Sequence, residues 1–598
     1  MSMQYVPYPA CIYPPVQCPR RTKPKPPLPG PRTFAELHEA LTAAASNSTV
    51  ELNHDITEPP GYIWVPVALS AGVTIKGNRH QIGSPSDASR QLSAPLLGGT
   101  NAAPILNATI ENLSVYVNIP IIGEDFVGGL ARTVSGATIL NVSVSGMIYQ
   151  NGTYVGGLVG RATGTSTFDG CTNYATVTGL RAVGGIAGIA GRMGVNPHST
   201  TASGAPIFRS CTNAGEVRST KTGNGGTSEA GNDTHTGGIV GNIAGGQIIG
   251  CTNSGAISST FTHVAGIAGS ADKTDIYKCI NSGLVTGVRY RIAGIAGLLT
   301  NAQSSIRHCT NTGNIRAIKI GDNTSAIDIA GIVGTLTTAG NVVDRCTNKG
   351  SVVIQDEAFS CTHVGGICGH QNKGTLITNC TNKGSIGGTS NIGGIVGHSI
   401  AEDVRSFVVG NTNKADVIAS GTYIGGIAGY ANSNVTISNN MMNSAQSSVR
   451  GTNAVGGIVG YVVNAGTVPT DQTIVAENSV NALSIQSTNG TGAGIHRIVG
   501  RYDNNAGSSL IIYNNYANSS LRLTGDNTSV YIYDHDTMST TESGAQYSDN
   551  IVQTNDPDYG ANRYNGANKS FPVKYTGGCS LLELGSVASD GLIPLKLC

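Results

Sequence analysis

Residues 361–397 have the sequence CTHVGGICGHQNKGTLITNCTNKGSIGGTSNIGGIVG, and two short units within it decide the fold. The first unit is an apolar residue followed by Gly or Ala, then Gly-[Ile/Leu]-x-Gly. It occurs as VGGICG from Val364 and as IGGIVG from Ile392, 28 residues later. The second unit is Cys-Thr-Asn-x-Gly-x-[Val/Ile], found between them as CTNKGSI from Cys380. A fixed spacing between copies indicates a structural repeat.

Both units recur along most of the chain. The first begins at Val127 (a degenerate copy), Val155, Val183, Thr236, Val264, Ile292, Ile329, Val364, Ile392, Ile424 and Val455, with a worn copy near Gly492. The second begins at Cys211, Cys251, Cys309, Cys346 and Cys380, with weaker copies at Cys171, Cys279, Asn411 and Asn478. Polar insertions such as Lys221 to His235 lengthen some of the gaps. A repeat that tolerates insertions is typical of a solenoid.

Each unit is too short and too rich in glycine for a helix, and its alternating small apolar and polar residues favour short strands. In the second unit, Asn-x-Gly predicts a bend, because Asn and Gly accept left-handed backbone conformations. One repeat cannot bury its apolar face alone, so successive repeats must stack. The sequence therefore predicts an all-β chain.

The paired VGGIVG and CTNKGSV units resemble the GLUG-type repeats of bacterial surface and adhesin-like proteins, over residues 127–500. Upstream, TFAELHEALTAAASNSTVELNHDI followed by GVTIKGNRHQI is similar to the opening of pectate-lyase-like proteins. The resemblance implies a right-handed single-stranded parallel β-helix with an N-terminal capping helix, and it implies no chemistry. Thr33 and Glu36 predict a capping box at the start of that helix.

Composition divides the chain into three segments. Residues 1–32 hold 10 of the 23 prolines together with several basic residues and predict a flexible arm. Residues 33–500 form the β-helix, with the cap and first turns at 33–126 and the GLUG-like repeats at 127–500. Residues 501–598 lose the repeat, and we expect terminal turns and a C-terminal capping segment, since an open solenoid end exposes strand edges.

Two columns of identical residues follow from stacking the second unit. We expect an asparagine ladder of amides that hydrogen-bond from repeat to repeat, made of Asn173, Asn213, Asn253, Asn281, Asn311, Asn348, Asn382 and Asn413, and extending to Asn443 and Asn481. We also expect a column of buried, reduced thiols made of Cys171, Cys211, Cys251, Cys279, Cys309, Cys346 and Cys380. Both columns would stabilise the stack and its register.

A zinc site is the alternative explanation for Cys361, His363, Cys368, His370 and Cys380. Their spacing does not match the ligand pairs of structural zinc sites. Sister repeats place Val or Ala where Cys368 lies, which indicates a core position, and the two histidines are expected to be exposed. The sequence thus predicts neither a metal nor another cofactor.

Three features outside the columns support different functions. Asp534 and Asp536, on one face of a strand with His535 opposite, could perform acid/base catalysis in a polysaccharide-active enzyme, although a solvated strand end is the simpler interpretation. The insertion from Lys221 to His235 could bind a host or matrix ligand, as in an adhesin. Disulfides between terminal cysteines could join rods end to end; these residues are Cys11, Cys18, Cys579 and Cys598.

The net charge and the distribution of apolar residues limit the classes of partner that we expect. The chain has 36 Lys and Arg residues against 35 Asp and Glu residues, a formal net charge of +1. So small a charge gives no reason to expect binding to nucleic acid. The sequence lacks a run of about 18 apolar residues and shows no apolar core of a signal peptide near its start. We therefore expect a non-catalytic rod at a cell, spore or virion surface, or outside the cell, that associates with itself or with a surface polysaccharide or protein.

Overall fold

The protein forms a right-handed parallel β-helix with one N-terminal α-helix, which confirms the predicted fold class. The computed structural model describes residues 30–57, 60–121, 123–191, 205–220, 234–321, 323–354, 359–401, 403–464, 472–488, 494–504, 509–513, 515–517, 521–525, 545–548 and 551–552. Strands pair in parallel with the equivalent strands of the preceding and following turns, here called rungs. Among the described residues, no helix is both long enough and apolar enough to cross a membrane.

The α-helix, Phe34–Thr42, closes the first end of the coil. Thr33 is its N-cap, since Thr33 Oγ1 accepts a hydrogen bond from the Glu36 backbone N–H at 3.1 Å. The Glu36 carboxylate accepts a hydrogen bond from the backbone N–H of Arg32 at 2.6 Å. A capping box would use the backbone N–H of Thr33 instead, so the bond reaches one residue further back than predicted. Phe34, Leu37 and Leu41 are buried, and the Phe34 ring packs edge-on to Trp64 with centroids 5.7 Å apart. The tryptophan thus supports the cap.

One complete rung shows how the repeat folds. It contains the strands Ser360–Gly365, Cys368–Gln371, Leu376–Thr378, Thr381–Asn382 and Ile386–Gly388. The first of these strands lies in a 12-stranded sheet, and the other four lie in a 49-stranded sheet that wraps the rest of the coil. The VGGICG unit therefore spans the corner between the two sheets, and its apolar side chains enter the common core.

The two strands beside this corner recur in twelve successive rungs of the described chain. The 12-stranded sheet consists of Val127–Gly128, Val155–Gly156, Ala182–Gly184, His235–Gly237, Thr262–Ala265, Tyr290–Ala293, Ser325–Ala330, Ser360–Gly365, Ser390–Gly393, Thr422–Gly425, Asn453–Gly456 and Ile495–His496. The strands that follow the corner are Ala131–Ser135, Val159–Thr163, Ala187–Gly191, Val240–Ile249, Ala268–Tyr277, Ala296–Thr300, Val333–Leu336, Cys368–Gln371, Val396–Ile400, Ala428–Asn432, Val459–Asn464 and Val499–Asn504. Because all pairs are in parallel register, equivalent residues form straight columns.

Strand pairing extends from one end of the described chain to the other. Thr49–Glu51 pairs with Thr74–Lys76 beneath the cap. Beyond residue 500, Ser509–Tyr513 pairs with Ala545–Ser548, and Tyr516–Ala517 pairs with Ile551–Val552. Rungs thus continue past the last copy of the repeat.

The predicted bend between two strands at Asn-x-Gly is confirmed, since Thr252–Asn253 ends before Gly255 and Ile257–Ser259 begins after it, but its backbone is not left-handed. Gly255 of the second unit does not have a positive φ; the left-handed residue is instead the one before the column cysteine, for example Lys278 (φ 52°) or His308 (φ 55°). Gly255 is required for space, because a Cβ there would lie 2.0 Å from the carbonyl oxygen of Gly215 in the rung below. Close stacking of backbones, not backbone conformation, selects this glycine.

Candidate functional site

The asparagine ladder is confirmed. Each predicted amide donates its Nδ2 hydrogen to the Oδ1 of the next, at 2.7–2.9 Å from Asn173 to Asn413. The extension is wrong, because Met442 and Val480 occupy the following two positions in place of Asn443 and Asn481. The ladder lies inside the coil and serves stability.

A second asparagine ladder continues the cysteine column. Above Cys380, the amides of Asn411, Asn440, Asn478 and Asn515 are linked in the same way at 2.9–3.0 Å. The Cys380 backbone N–H donates to Asn411 Oδ1 at 2.9 Å, which joins the two columns. Asn411 and Asn478 begin weaker copies of the second unit, at the position that Cys holds in the other copies. These copies could therefore have predicted the second ladder.

The cysteines of the described chain are buried thiols. All seven column members, together with Cys361 and Cys368, are free. Burial raises the pKa of Cys171, Cys279 and Cys309 well above its usual value. Thiols that are buried and protonated are poor nucleophiles and poor metal ligands, so this column packs the core.

Several predicted site residues lie outside the described residues. These are Asp534 and Asp536, the terminal cysteines Cys11, Cys18, Cys579 and Cys598, and most of the insertion that begins at Lys221. The hypotheses built on them stay predictions.

Two columns of side chains, many of them large and all but a few partly or fully buried, lie along the corner. The bend column is the residue just before each first unit: Phe126, Tyr154, Ala182, His235, His263, Arg291, Asp328, His363, Asn391, Tyr423 and Ala454. The strand column is the third residue of the strand after the corner: Thr133, Arg161, Ile189, Asn242, Ser270, Leu298, Thr335, His370, His398, Tyr430, Tyr461 and Arg501. We call the two columns together the corner strip.

The bend column has an unusual backbone. Nine of its eleven residues, all except Ala182 and His235, have φ between 43° and 67°. Left-handed conformation disfavours bulky residues by about 1–2 kcal/mol relative to glycine. Phe126, Tyr154 and Tyr423 nevertheless occupy such positions. The backbone geometry alone would favour Gly or Asn there.

Each bend lies against the strand column of the following rung. A Cβ at Gly397 would lie 2.4 Å from the backbone nitrogen of Val364 and 2.5 Å from the carbonyl carbon of His363. This contact explains the last glycine of the first unit. It also places the His363 side chain next to His398, the residue that follows Gly397.

The same offset pairs complementary side chains in other rungs. The Arg161 guanidinium lies 5.8 Å from the centre of the Phe126 ring, and Tyr461 stacks on Tyr423 with centroids 4.5 Å apart. Arg501 then lies 5.6 Å from the centre of the Tyr461 ring. These rings are largely shielded by one another and only partly exposed at their outer edges.

A histidine pair occupies the middle of the strip. The imidazoles of His235 and His263 stack with centroids 4.8 Å apart, and Arg291 contacts His263 Nε2. Burial, reinforced by the charges of Arg181 and Arg291, lowers the pKa of His235 to about 3. Both rings are therefore neutral at neutral pH, since burial also lowers the pKa of His263.

The next three rungs bring four ionisable side chains together. His363 Nδ1 lies 2.8 Å from Asp328 Oδ1, His370 Nδ1 lies 3.6 Å from the same oxygen, and Thr335 Oγ1 donates to Asp328 Oδ2 at 2.8 Å. The His398 ring stacks on His363 with centroids 4.2 Å apart and lies 4.9 Å from His370. We call Asp328, His363, His370 and His398 the histidine cluster.

Burial and mutual contact set the charges of the cluster. Burial alone would raise the pKa of Asp328, but hydrogen bonds and charges from His363 and His370 lower it well below its usual range. Burial, followed by the charges of its two histidine neighbours, lowers the pKa of His398 to about 2. The cluster thus holds an ionised carboxylate and at least one neutral imidazole.

The predicted exposure of His363 and His370 is wrong. Only 20% and 21% of their side chains are exposed, because the bend of one rung and the strand of the next cover them. The cysteines of that rung belong to the core, as predicted for Cys368 from its sister repeats. Cys361 pairs in register with Ala326 and fills the same kind of core position.

Comparisons with known protein families and with curated proteins found no match. Among solved structures, the chain is similar to the crystal structure of a candidate immunoglobulin A1 protease from Bacteroides ovatus. The identity is 17%, the match covers 54% of this chain and 76% of that chain, and the TM-score is 0.29. A similarity at that level carries no argument. The parallel β-helix assignment rests on strand pairing, and the GLUG-type resemblance stays a prediction.

Proposed function

We propose that this protein is a non-catalytic β-helical rod at a cell, spore or virion surface that binds an extended polysaccharide along the corner strip. The observation that carries the proposal is the set of bulky residues at left-handed positions of the bend column. Such residues cost stability in the fold, and conformations of this kind concentrate at functional sites.

The chemistry of the strip suits a carbohydrate. Tyrosine rings such as Tyr423 and Tyr430 are partly exposed, and their outer edges offer apolar surface for sugar rings. Arginine, histidine and asparagine side chains beside them can hydrogen-bond to hydroxyl groups. Straight columns repeat these groups at each rung, about 4.8 Å apart, so the surface favours a long ligand.

The core, by contrast, varies little between rungs. Positions equivalent to Val396 hold only small apolar residues or Cys368, whereas the strip changes from aromatic to basic to acidic along the rod. Variation confined to the outer columns is the pattern expected when the coil is a scaffold and the strip determines specificity.

The test is a binding screen against a panel of purified surface polysaccharides, measured by biolayer interferometry with the full chain. We expect binding to weaken at least about 10-fold, or about 1.4 kcal/mol, in a Tyr423→Asn/Tyr430→Ser variant. Both replacements occur at the same positions in sister rungs, as Asn391 and Ser270, so the fold should tolerate them.

The matched control is Ile418→Ser, which removes a side chain that is 48% exposed on a different face. It should leave binding unchanged. The proposal fails if no polysaccharide binds or if the strip variant binds like the wild type. Release of shortened or unsaturated sugars during incubation would overturn the non-catalytic part.

End-to-end assembly through Cys11, Cys18, Cys579 and Cys598 is a separate hypothesis with no support among the described residues.

A further inference from the structure

We propose that His363, His370 and His398 bind one divalent transition-metal ion, Zn²⁺ by preference, with Asp328 as the carboxylate that orients His363. One potential ligand atom from each histidine lies within 4.8 Å of the others. In the part of the chain that the structure describes, this is the one place where three histidine, cysteine or acidic side chains meet so closely. The inference does not rest on polysaccharide binding.

The first argument is the hydrogen bond between His363 and Asp328. An ionised carboxylate can only accept, so His363 Nδ1 donates to Asp328 at 2.8 Å, and in the neutral imidazole the lone pair is then on Nε2. A histidine whose other nitrogen donates to a carboxylate is the usual arrangement at metal sites. Thr335 holds the second carboxylate oxygen, so Asp328 is itself fixed from the neighbouring strand.

The second argument is that two nitrogens of the cluster lack partners. His370 Nε2 and His398 Nδ1 are buried, and neither has a hydrogen bond. Residue His398 as a whole is only 9% exposed. Leaving buried polar atoms unpaired destabilises the fold, and a cation bound by their lone pairs would remove that penalty.

The third argument is distance. Zn²⁺ bound tetrahedrally at 2.0–2.1 Å would bring ligand nitrogens to about 3.3 Å from one another. The present separations of up to 4.8 Å would have to shorten by about 1.5 Å, through rotation of the three side chains toward one another. The backbone register that sets their spacing would not need to change.

The donor set decides the class of metal. All three ligands are imidazoles, which suit Zn²⁺, Ni²⁺, Cu²⁺ and Co²⁺ better than Ca²⁺ or Mg²⁺. The nearby thiols of Cys361 and Cys368 point into the core and are fully buried, so a thiolate site is not formed here. Three protein ligands leave a fourth position for water or for a ligand atom.

The experiment is isothermal titration of the full, chelator-treated chain with ZnCl₂, supported by Co²⁺ absorption spectroscopy. The ligand variants are His398→Phe, which keeps an aromatic ring beside Tyr430, and His370→Thr, which copies Thr335 of the rung before. The matched control is His263→Tyr, because Tyr154 and Tyr423 occupy the same column. Circular dichroism verifies that each variant folds.

We expect one Zn²⁺ per chain in the wild type and in His263→Tyr. Asp328→Asn should weaken binding about 10- to 100-fold, as for a residue that orients a ligand. His398→Phe and His370→Thr should weaken it further and should remove the Co²⁺ bands of the wild type. The inference is overturned if the wild type binds no Zn²⁺, if binding survives in a His370→Thr/His398→Phe double variant, or if the control loses it equally.

Discussion

At the residue scale, one buried amide links several parts of the coil. Asn311 accepts a hydrogen bond from Asn281 at 2.8 Å, and its Nδ2 donates both to Asn348 Oδ1 and to the Gly313 carbonyl at 2.8 Å. Every hydrogen-bonding atom of this side chain is therefore used inside the core. Buried polar groups that are fully paired in this way fix the register of the rungs that they join.

We predict that Asn311→Ala lowers the free energy of unfolding by about 2–4 kcal/mol. The change leaves Asn348 Oδ1 and the Gly313 carbonyl without their donors, at about 1–3 kcal/mol for each unpaired group. Urea denaturation followed by circular dichroism measures the loss. Thr310→Ala, at the half-buried residue before it, is the matched control and should cost less than about 1 kcal/mol. Equal losses would show that the ladder has no special role.

At the element scale, comparison of the repeats predicted the structural features that recur along the chain and missed the histidine cluster, which occurs once among the described residues. Strands and core positions repeat from rung to rung, and the first ladder repeats through eight rungs, so comparison of sister units identified them. The histidine cluster escaped because its members come from three rungs, at Asp328, His363 with His370, and His398. The spacing of the repeat could have revealed it. His370 and His398 are 28 residues apart and occupy equivalent positions in adjacent rungs, next to the bend residue His363.

The glycine of the second unit gives a prediction at this scale. Gly255→Ala should destabilise the protein by about 3 kcal/mol or more, because its Cβ would meet the Gly215 carbonyl oxygen at 2.0 Å. Gly255→Asn should be at least as harmful, whereas a left-handed bend would have tolerated Asn. Thermal unfolding of both variants decides between the two explanations.

The control for this prediction is Gly387→Ala. Its Cβ would lie 3.7 Å from the nearest atom, the carbonyl oxygen of Val352, and φ at Gly387 is not positive. The substitution should therefore leave stability unchanged within about 0.5 kcal/mol. A large loss there would mean that strand glycines are needed for a reason other than close stacking.

At the scale of the whole molecule, the coil separates its thiols into two groups. Nine of the 13 cysteines lie in the described core, where burial suppresses access to the thiols. The others, Cys11, Cys18, Cys579 and Cys598, belong to the two terminal segments of the sequence. Any reductant-sensitive joining of native rods must then use the terminal group, since exchange requires an accessible thiolate.

We predict that a thiol reagent modifies at most four cysteines in the native, reduced protein and all 13 after unfolding in guanidinium chloride, as counted by mass spectrometry. Modification of a column peptide such as that of Cys309 under native conditions would contradict the buried column. Disulfide-linked assembly is tested by non-reducing electrophoresis after oxidation. We expect bands of linked chains, and these bands should disappear when Cys11, Cys18, Cys579 and Cys598 are changed to Ser. If oxidation yields only single chains, end-to-end disulfide assembly is excluded.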